Sequence, residues 1–345
     1  MTGVTPSKSA LFAPVCLEWL AQRTEEVLDP EIAIVDAHHH LWDRPECPYL
    51  IQDLLLDARS GHIIRGTVFV ECRSRYRRDG DRPLRSLGET EFVAGAGEEA
   101  DRAGGSTLNL CSGIVAFVDL REDPAAVDAL LDAHRDAALG RLRGIRNLSA
   151  WDPRAAAVNG PPQGLLMSEA FRAGFARLAP HGLTFETWML HSQLAELRDL
   201  ADAFPDTRIV LNHVGGPVPA GDYPTDRAVV FREWSGAMRT LSSCPNLYVK
   251  LGGLGMPIFG FSLHERSAPP SSQELAELWR PYIETCIQAF GPSRCMFESN
   301  FPVDKCSCSY TTLWNAFKRV TSGYSRQERE QLFSGTASRF YRLNL

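Results

Sequence analysis

The sequence of 345 residues predicts a (β/α)8 barrel entered through an N-terminal helical arm. Three observations carry this. Short apolar, β-branched runs alternate with segments of helical periodicity, the pattern of βαβ units around a parallel sheet. Eight such runs occur, the number that closes a barrel, and none is followed by the G-x-G-x-x-G of a doubly wound dinucleotide-binding sheet. Ionisable residues gather where the runs end, the face on which barrels carry their chemistry.

Residues 1–30 read as the arm: Leu17 to Leu28 is apolar every three to four residues and Pro30 stops the helix. Residues 31–345 read as one barrel domain, without internal repeat or low-complexity linker. Strands are expected at Ala33–Val35, Gly66–Glu71, Gly113–Asp119, Arg143–Arg146, Leu183–Trp188, Arg208–His213, Asn246–Lys250 and Arg294–Glu298. Helices are expected over Pro124–Leu139, Ser168–Leu178, Gln193–Phe204, Phe231–Leu241 and Ser272–Phe290. Arg73–Gly105 and Gly252–Ser272 read as long loops after the second and seventh strands, where barrels keep substrate-selecting elements.

Composition narrows the function. Acidic residues number 42 against 36 basic ones, a net charge of −6, which argues against nucleic acid as a partner. No apolar run is long enough to span a membrane and no secretory leader opens the chain. Nine scattered cysteines, an odd number, suit reduced thiols in a cytoplasm better than a disulfide framework. Cys306-Ser-Cys308 has no second pair at zinc-site spacing. The arm is free by sequence to pack on its own barrel or on that of a second copy in a homo-oligomer.

The strand ends hold the candidate site. The first reads Asp36-Ala37-His38-His39-His40-Leu41-Trp42. Residues two apart on a strand point the same way, so His38 and His40 can grip one ion while His39 faces the helices. Glu71 ends the second strand, Arg146 the fourth and Lys250 the seventh; the fifth ends in Glu186-Thr187-Trp188 with His191 beyond, and the sixth at His213. Arg146 and Lys250 suit a substrate carboxylate or a polarised carbonyl, and pairing with Glu71, Glu186 or Glu298 is the alternative. Trp42 and Trp188 can wall a flat ring. His62, His134, His181 and His264 fall away from the strand ends.

Four motifs in order, Asp36-Ala-His38-His-His40-Leu-Trp-Asp43, Asn212-His213-Val-Gly-Gly-Pro217, Tyr248-Val-Lys250-Leu-Gly and Phe297-Glu-Ser-Asn300-Phe-Pro302, resemble the amidohydrolase superfamily. The resemblance runs over roughly residues 30–345 and is nearest to the branch of sugar-lactone and 2-pyrone-4,6-dicarboxylate lactonases. It implies a hydrolase that opens a small anionic or polyhydroxylated lactone, or a related ester or amide, by water attack on the carbonyl. It also implies at most one divalent ion, zinc or manganese, held by His38, His40, His191 and position 300, although some lactonases of this branch work without metal.

The eighth strand departs from that pattern. Where the family reads Gly-Ser-Asp-x-Pro, this chain has Glu298-Ser299-Asn300-Phe301-Pro302. A neutral amide cannot take a proton from water at pH 7. Glu298 faces the interior by strand alternation and is the expected base, with Asp304 as second choice; a pairing of Glu298 with a buried cation is the alternative. His213 and Lys250 are then expected to stabilise the oxyanion, and Asn300 to contact substrate. A decarboxylase of an aromatic or unsaturated acid keeps the same barrel but fits the loss of the acid at position 300 less well. A barrel that binds a ligand without turnover has little use for so many strand-end histidines.

Overall fold

The structure is a computed structural model that describes residues 13–45, 47–104, 108–152, 160–218 and 226–345. All eight expected strands form: β1 (Ala33–His39), β2 (Ile63–Val70), β3 (Asn109–Ala116), β4 (Leu142–Arg146), β5 (Thr184–Thr187), β6 (Ile209–Leu211), β7 (Leu247–Leu251) and β8 (Cys295–Phe297). They pair in parallel in chain order. The ring closes just past β8, where the Asn300 amide donates to the His38 carbonyl at 2.8 Å and the His40 amide to the Phe301 carbonyl at 2.7 Å. Asp36 clasps this seam from outside, accepting from the Ser299 amide at 2.8 Å and the Tyr310 hydroxyl at 3.0 Å. The fold is therefore a (β/α)8 barrel.

Two apolar layers follow from strand alternation. Val35, Ala37, Val68, Val70, Val115, Val210 and Met296 fill the interior, while Ile34, Phe69, Ile114, Ile145, Phe185, Leu211, Val249 and Phe297 face the helices. On β1 the alternation shifts: the β1–β2 register slips between Asp36 and His39, so both residues turn outward and His38 and His40 turn in. His39 packs against Thr67, Phe69 and Cys111, on the helix side as expected.

The helices are α1 (Leu17–Leu20), α2 (Ile51–Ala58), α3 (Leu87–Gly104), α4 (Pro124–Ala137), α5 (Glu169–Phe175), α6 (Leu194–Ala203), α7 (Arg227–Leu241), α8 (Ser272–Phe290), α9 (Tyr310–Val320), α10 (Arg326–Glu330) and α11 (Thr336–Tyr341). Asp123, Ser168, Asp226, Ser271, Ser309 and Ser325 cap six of them through their side chains. α11 closes the barrel floor: Ala337, Phe340 and Tyr341 are buried in the same cluster as the interior valines.

Two expectations are corrected. Arg73–Gly105 is no loop, since most of it is α3, whose buried face is Val93, Ala94, Ala96 and Ala100. Alanines at helical spacing, among four glycines, give little hydropathy contrast. In the arm, residues 1–12 lie outside the described residues, and the helix expected to run to Leu28 is the single turn α1. The segment after it is held by side chains instead: Asn315 bonds the Leu28 amide and the Glu26 carbonyl, and Lys318 donates to the Leu28 and Asp29 carbonyls at 2.7 and 2.8 Å. It thus packs on its own barrel. Among the described residues no helix is long and apolar enough to cross a membrane.

Candidate active site

The inward strand ends converge in a buried layer of five charged groups and three imidazoles. Glu71, Arg146, Glu186, Lys250, Glu298, His38, His40 and His213 are each at most 5% exposed. Glu298 sits at the centre. Its Oε1 accepts from His213 Nδ1 at 2.7 Å and from the His213 amide at 3.1 Å, and its Oε2 lies 2.9 Å from His38 Nδ1. A carboxylate can only accept, so the His213 ring carries its hydrogen on Nδ1, and the 2.9 Å contact with Oε2 favours the same tautomer for His38; both rings then turn a bare Nε2 away from Glu298. His40 is fixed the same way, its Nδ1 2.7 Å from the Val70 carbonyl. Burial first, then the cations Lys250 and Arg146 respectively, hold the His38 and His40 imidazoles well below the ordinary histidine range, so both are neutral.

Of the three bare nitrogens, His38 Nε2 and His40 Nε2 stand 3.2 Å apart. Two lone pairs at that distance repel unless a cation or proton lies between them. Two bonds of about 2.0–2.1 Å at a tetrahedral angle would separate the donor nitrogens by roughly 3.3 Å, so the pair fits one divalent ion. Arg146 Nη1 lies 3.4 Å from His38 Nε2 and opposes such an ion.

The cations are paired. Arg146 Nε donates to Glu71 Oε1 at 2.9 Å, and its Nη2 to the Glu71 carbonyl. Lys250 Nζ donates to Glu186 Oε2 at 2.6 Å and lies 3.4 Å from His38 Nδ1, beneath the imidazoles; burial pulls its ammonium below the ordinary lysine range. Glu186 also accepts from Asn212 at 3.0 Å and from the Tyr341 hydroxyl. With these pairs balanced, the layer keeps the charge of Glu298.

The backbone strains to build this. His213 and Val214 adopt φ of 51° and 49°, and Gly215 and Gly216 continue at 74° and 59°, so β6 ends in a left-handed turn that swings His213 over Glu298. After β7, a Cβ at Gly252 would meet Glu298 Cγ at 2.4 Å, at Gly253 the His213 ring at 2.5 Å, and at Gly255 the Asp304 carboxylate at 2.9 Å. The glycines of this loop exist to let three site side chains through.

The expected site residues distribute as follows. Glu298, expected to take a proton from water itself, has both oxygens turned to imidazoles. Asp304 is likewise engaged, accepting from the Gly255 amide and from Asn300 Nδ2, both at 2.8 Å, and burial pushes its carboxyl up to about 8. Asn300 Oδ1 and Trp188 Nε1 are buried without a hydrogen-bond partner. Trp188 lies 6.3 Å from His213, whereas Trp42 stacks on His40, with its N–H bonded to the Cys47 carbonyl and the Arg44 guanidinium over its own ring at 3.9 Å. His191 lies past the end of β5 at Thr187, with its Nδ1 3.3 Å from the Gly216 carbonyl. Among the described residues the group with ligand atoms in mutual reach is His38, His213 and Glu298. Sequence reasoning missed Asn212 and Tyr341. Asn212 stood inside a quoted motif; Tyr341, near the chain end and among aromatic residues of α11, carries no signal.

A family model described as Amidohydrolase matches residues 35–343. The chain belongs to the amidohydrolase family. This amidohydrolase is a hydrolase by that membership. It is 34% identical over 335 residues to the uncharacterized protein y4mH of Sinorhizobium fredii, covering 91% of this chain and 99% of that one. It is 29% identical over 174 residues to an L-fucono-1,5-lactonase of Burkholderia multivorans, covering 50% of this chain and 56% of that one. An amidohydrolase structure from Burkholderia multivorans with bound zinc superposes with a TM-score of 0.68 at 21% identity, over 90% of this chain and 100% of that one, a likeness of fold.

Proposed function

We propose that this amidohydrolase opens a small, neutral, hydroxylated lactone by water attack on its carbonyl, in the cytoplasm. The observation that carries the reading is the Glu298 carboxylate hydrogen-bonded to His213 Nδ1 and in contact with His38 Nδ1, which leaves an imidazole Nε2 oriented for proton transfer. In this reading His213 Nε2 takes the proton from water and returns it to the departing ring oxygen. Glu298 holds the tautomer and steadies the imidazolium that forms between the two steps. Arg146 Nη1, the guanidinium nitrogen not engaged by Glu71, meets the negative charge growing on the carbonyl oxygen. Lys250, from below, offsets Glu186 and Glu298.

His38 and His40 would hold one zinc or manganese ion through their paired Nε2 atoms. When bound, the ion supplies Lewis-acid polarisation of the carbonyl. A neutral substrate is favoured because both cations are matched by carboxylates, and the polar atoms left over, Trp188 Nε1 as donor and Asn300 Oδ1 as acceptor, suit hydroxyls. The lactonase relative named above supports the reaction type, and nine cysteines without a disulfide suit a reducing compartment.

The test is a panel of neutral sugar lactones, dicarboxylate pyrones and aromatic acids, with and without chelator, followed by proton release and product NMR. Ring opening of a neutral lactone is expected. Release of CO2, or turnover confined to dicarboxylates, would overturn the reading.

A further inference from the structure

We infer that Tyr341, on the last helix of the chain, is a positioning residue for the site, its hydroxyl acting through Glu186 to hold Lys250 beneath His38. The inference rests on the reaction proposed above only for its kinetic consequence. Tyr341 is fully buried and belongs to the apolar floor of the barrel with Phe340, where a phenylalanine would fill nearly the same space. Its hydroxyl is what reaches upward, donating to Glu186 Oε1. The other oxygen of Glu186 takes Lys250 Nζ at 2.6 Å and Asn212 Nδ2 at 3.0 Å, so the carboxylate is held on both sides. The Tyr341 ring lies 5.4 Å from Lys250 Nζ, which places the ammonium over an aromatic face as well as against a carboxylate. Burial, and then the Glu186 charge, hold the Tyr341 phenol well above its ordinary range, so it remains a donor. Lys250 in turn lies 3.4 Å from His38 Nδ1, the nitrogen that Glu298 orients.

Without the hydroxyl, Glu186 Oε1 is a buried carboxylate oxygen with no donor. The carboxylate must rotate to share Lys250 or Asn212, and the ammonium moves with it. A floor residue that merely fills space predicts no such movement.

The chain has four lysines, so the Lys250 ammonium is one of four side-chain signals in a 15N-lysine NMR spectrum, assigned by Lys250→Met. In Tyr341→Phe that signal is expected to shift or to be lost to faster exchange. On the lactone, kcat should fall about 10- to 100-fold, the rate equivalent of one buried hydrogen bond, with KM within about twofold. Incorporating 4-aminophenylalanine at position 341, which restores a donor, should recover both. An unmoved Lys250 signal overturns the inference, and so does a moved signal with wild-type kcat. If no lactone is turned over by the wild type, the proposed reaction fails while the NMR signal still decides the position of Lys250. Should Tyr341→Phe not fold, 3-fluorotyrosine at position 341 keeps the hydroxyl but makes it a stronger donor, and must move the same signal.

Discussion

Glu298 decides how the site reads at the level of single residues. Its Oε1 accepts from the ring and the amide of His213 and its Oε2 lies 2.9 Å from His38 Nδ1, so its removal frees two imidazoles to rotate and to change tautomer. Glu298→Gln can accept one N–H but presents an NH2 to the other ring. We expect kcat to fall about 10²–10⁴-fold with a much smaller change in KM, as for loss of an oriented proton acceptor, and steady-state kinetics on the confirmed lactone will show it. Turnover within a few-fold of wild type would mean that the imidazoles orient themselves. Asn300 sets the second expectation. It brings no charge near the His38–His40 pair, so Asn300→Asp should tighten binding of zinc or manganese, read by competition with a chromophoric chelator. Unchanged affinity would remove position 300 from the neighbourhood of the ion. The direction in which Glu298 points was legible in the sequence, because strand alternation from Met296 fixes it. Its role was not, because a carboxylate on an inward strand position looks the same whether it meets water or two rings.

The loop after β7 and the turn after β6 work as one element. Gly253, at φ 71°, underlies the ring of His213, itself left-handed at φ 51°. Gly253→Ala would bring a Cβ to 2.5 Å of that ring and add the cost of the backbone conformation, about 1–3 kcal/mol. The expected outcome is a lower thermal midpoint together with a loss of kcat, measured by calorimetry and kinetics on one preparation; loss of stability alone would separate the loop from the chemistry. The sequence announced this segment through its glycines, and the loop is there. It hid α3 for the converse reason: Gly88, Gly95 and Gly97 suggest a loop, yet Gly88 packs against the Arg75 carbonyl, where a Cβ would stand at 2.4 Å. A glycine needed for close approach and a glycine needed for a turn are the same letter.

Across the whole molecule, the segment before β1 is tied to α9 by Lys318, which reaches two carbonyls and lies 3.0 Å from His62 Nδ1. Burial pulls this ammonium down to about 8. From about pH 8 up to the ordinary lysine value the native chain therefore binds fewer protons than the unfolded chain, and stability rises with pH through that window and is flat below it. Denaturation at several pH values between 7 and 10 should show this slope in the wild type and its absence in Lys318→Met; equal slopes would assign the effect elsewhere. The barrel itself was readable because eight strands each carry their own apolar pattern. The extent of the arm was not, because its anchoring depends on Asn315 and Lys318, some 290 residues away along the chain. The closure of the ring has a final consequence. The β8–β1 seam is bridged by Asn300 and His38, and Glu298 reaches across it to His38. Chain order thus leaves His38, His40, Glu71 and Arg146 in the first four strands and Glu186, His213, Lys250 and Glu298 in the last four. A chain cut between β4 and β5 yields two fragments, neither with a carboxylate–imidazole pair to His38, and catalysis in the mixture becomes a reporter of how completely the two halves have found each other.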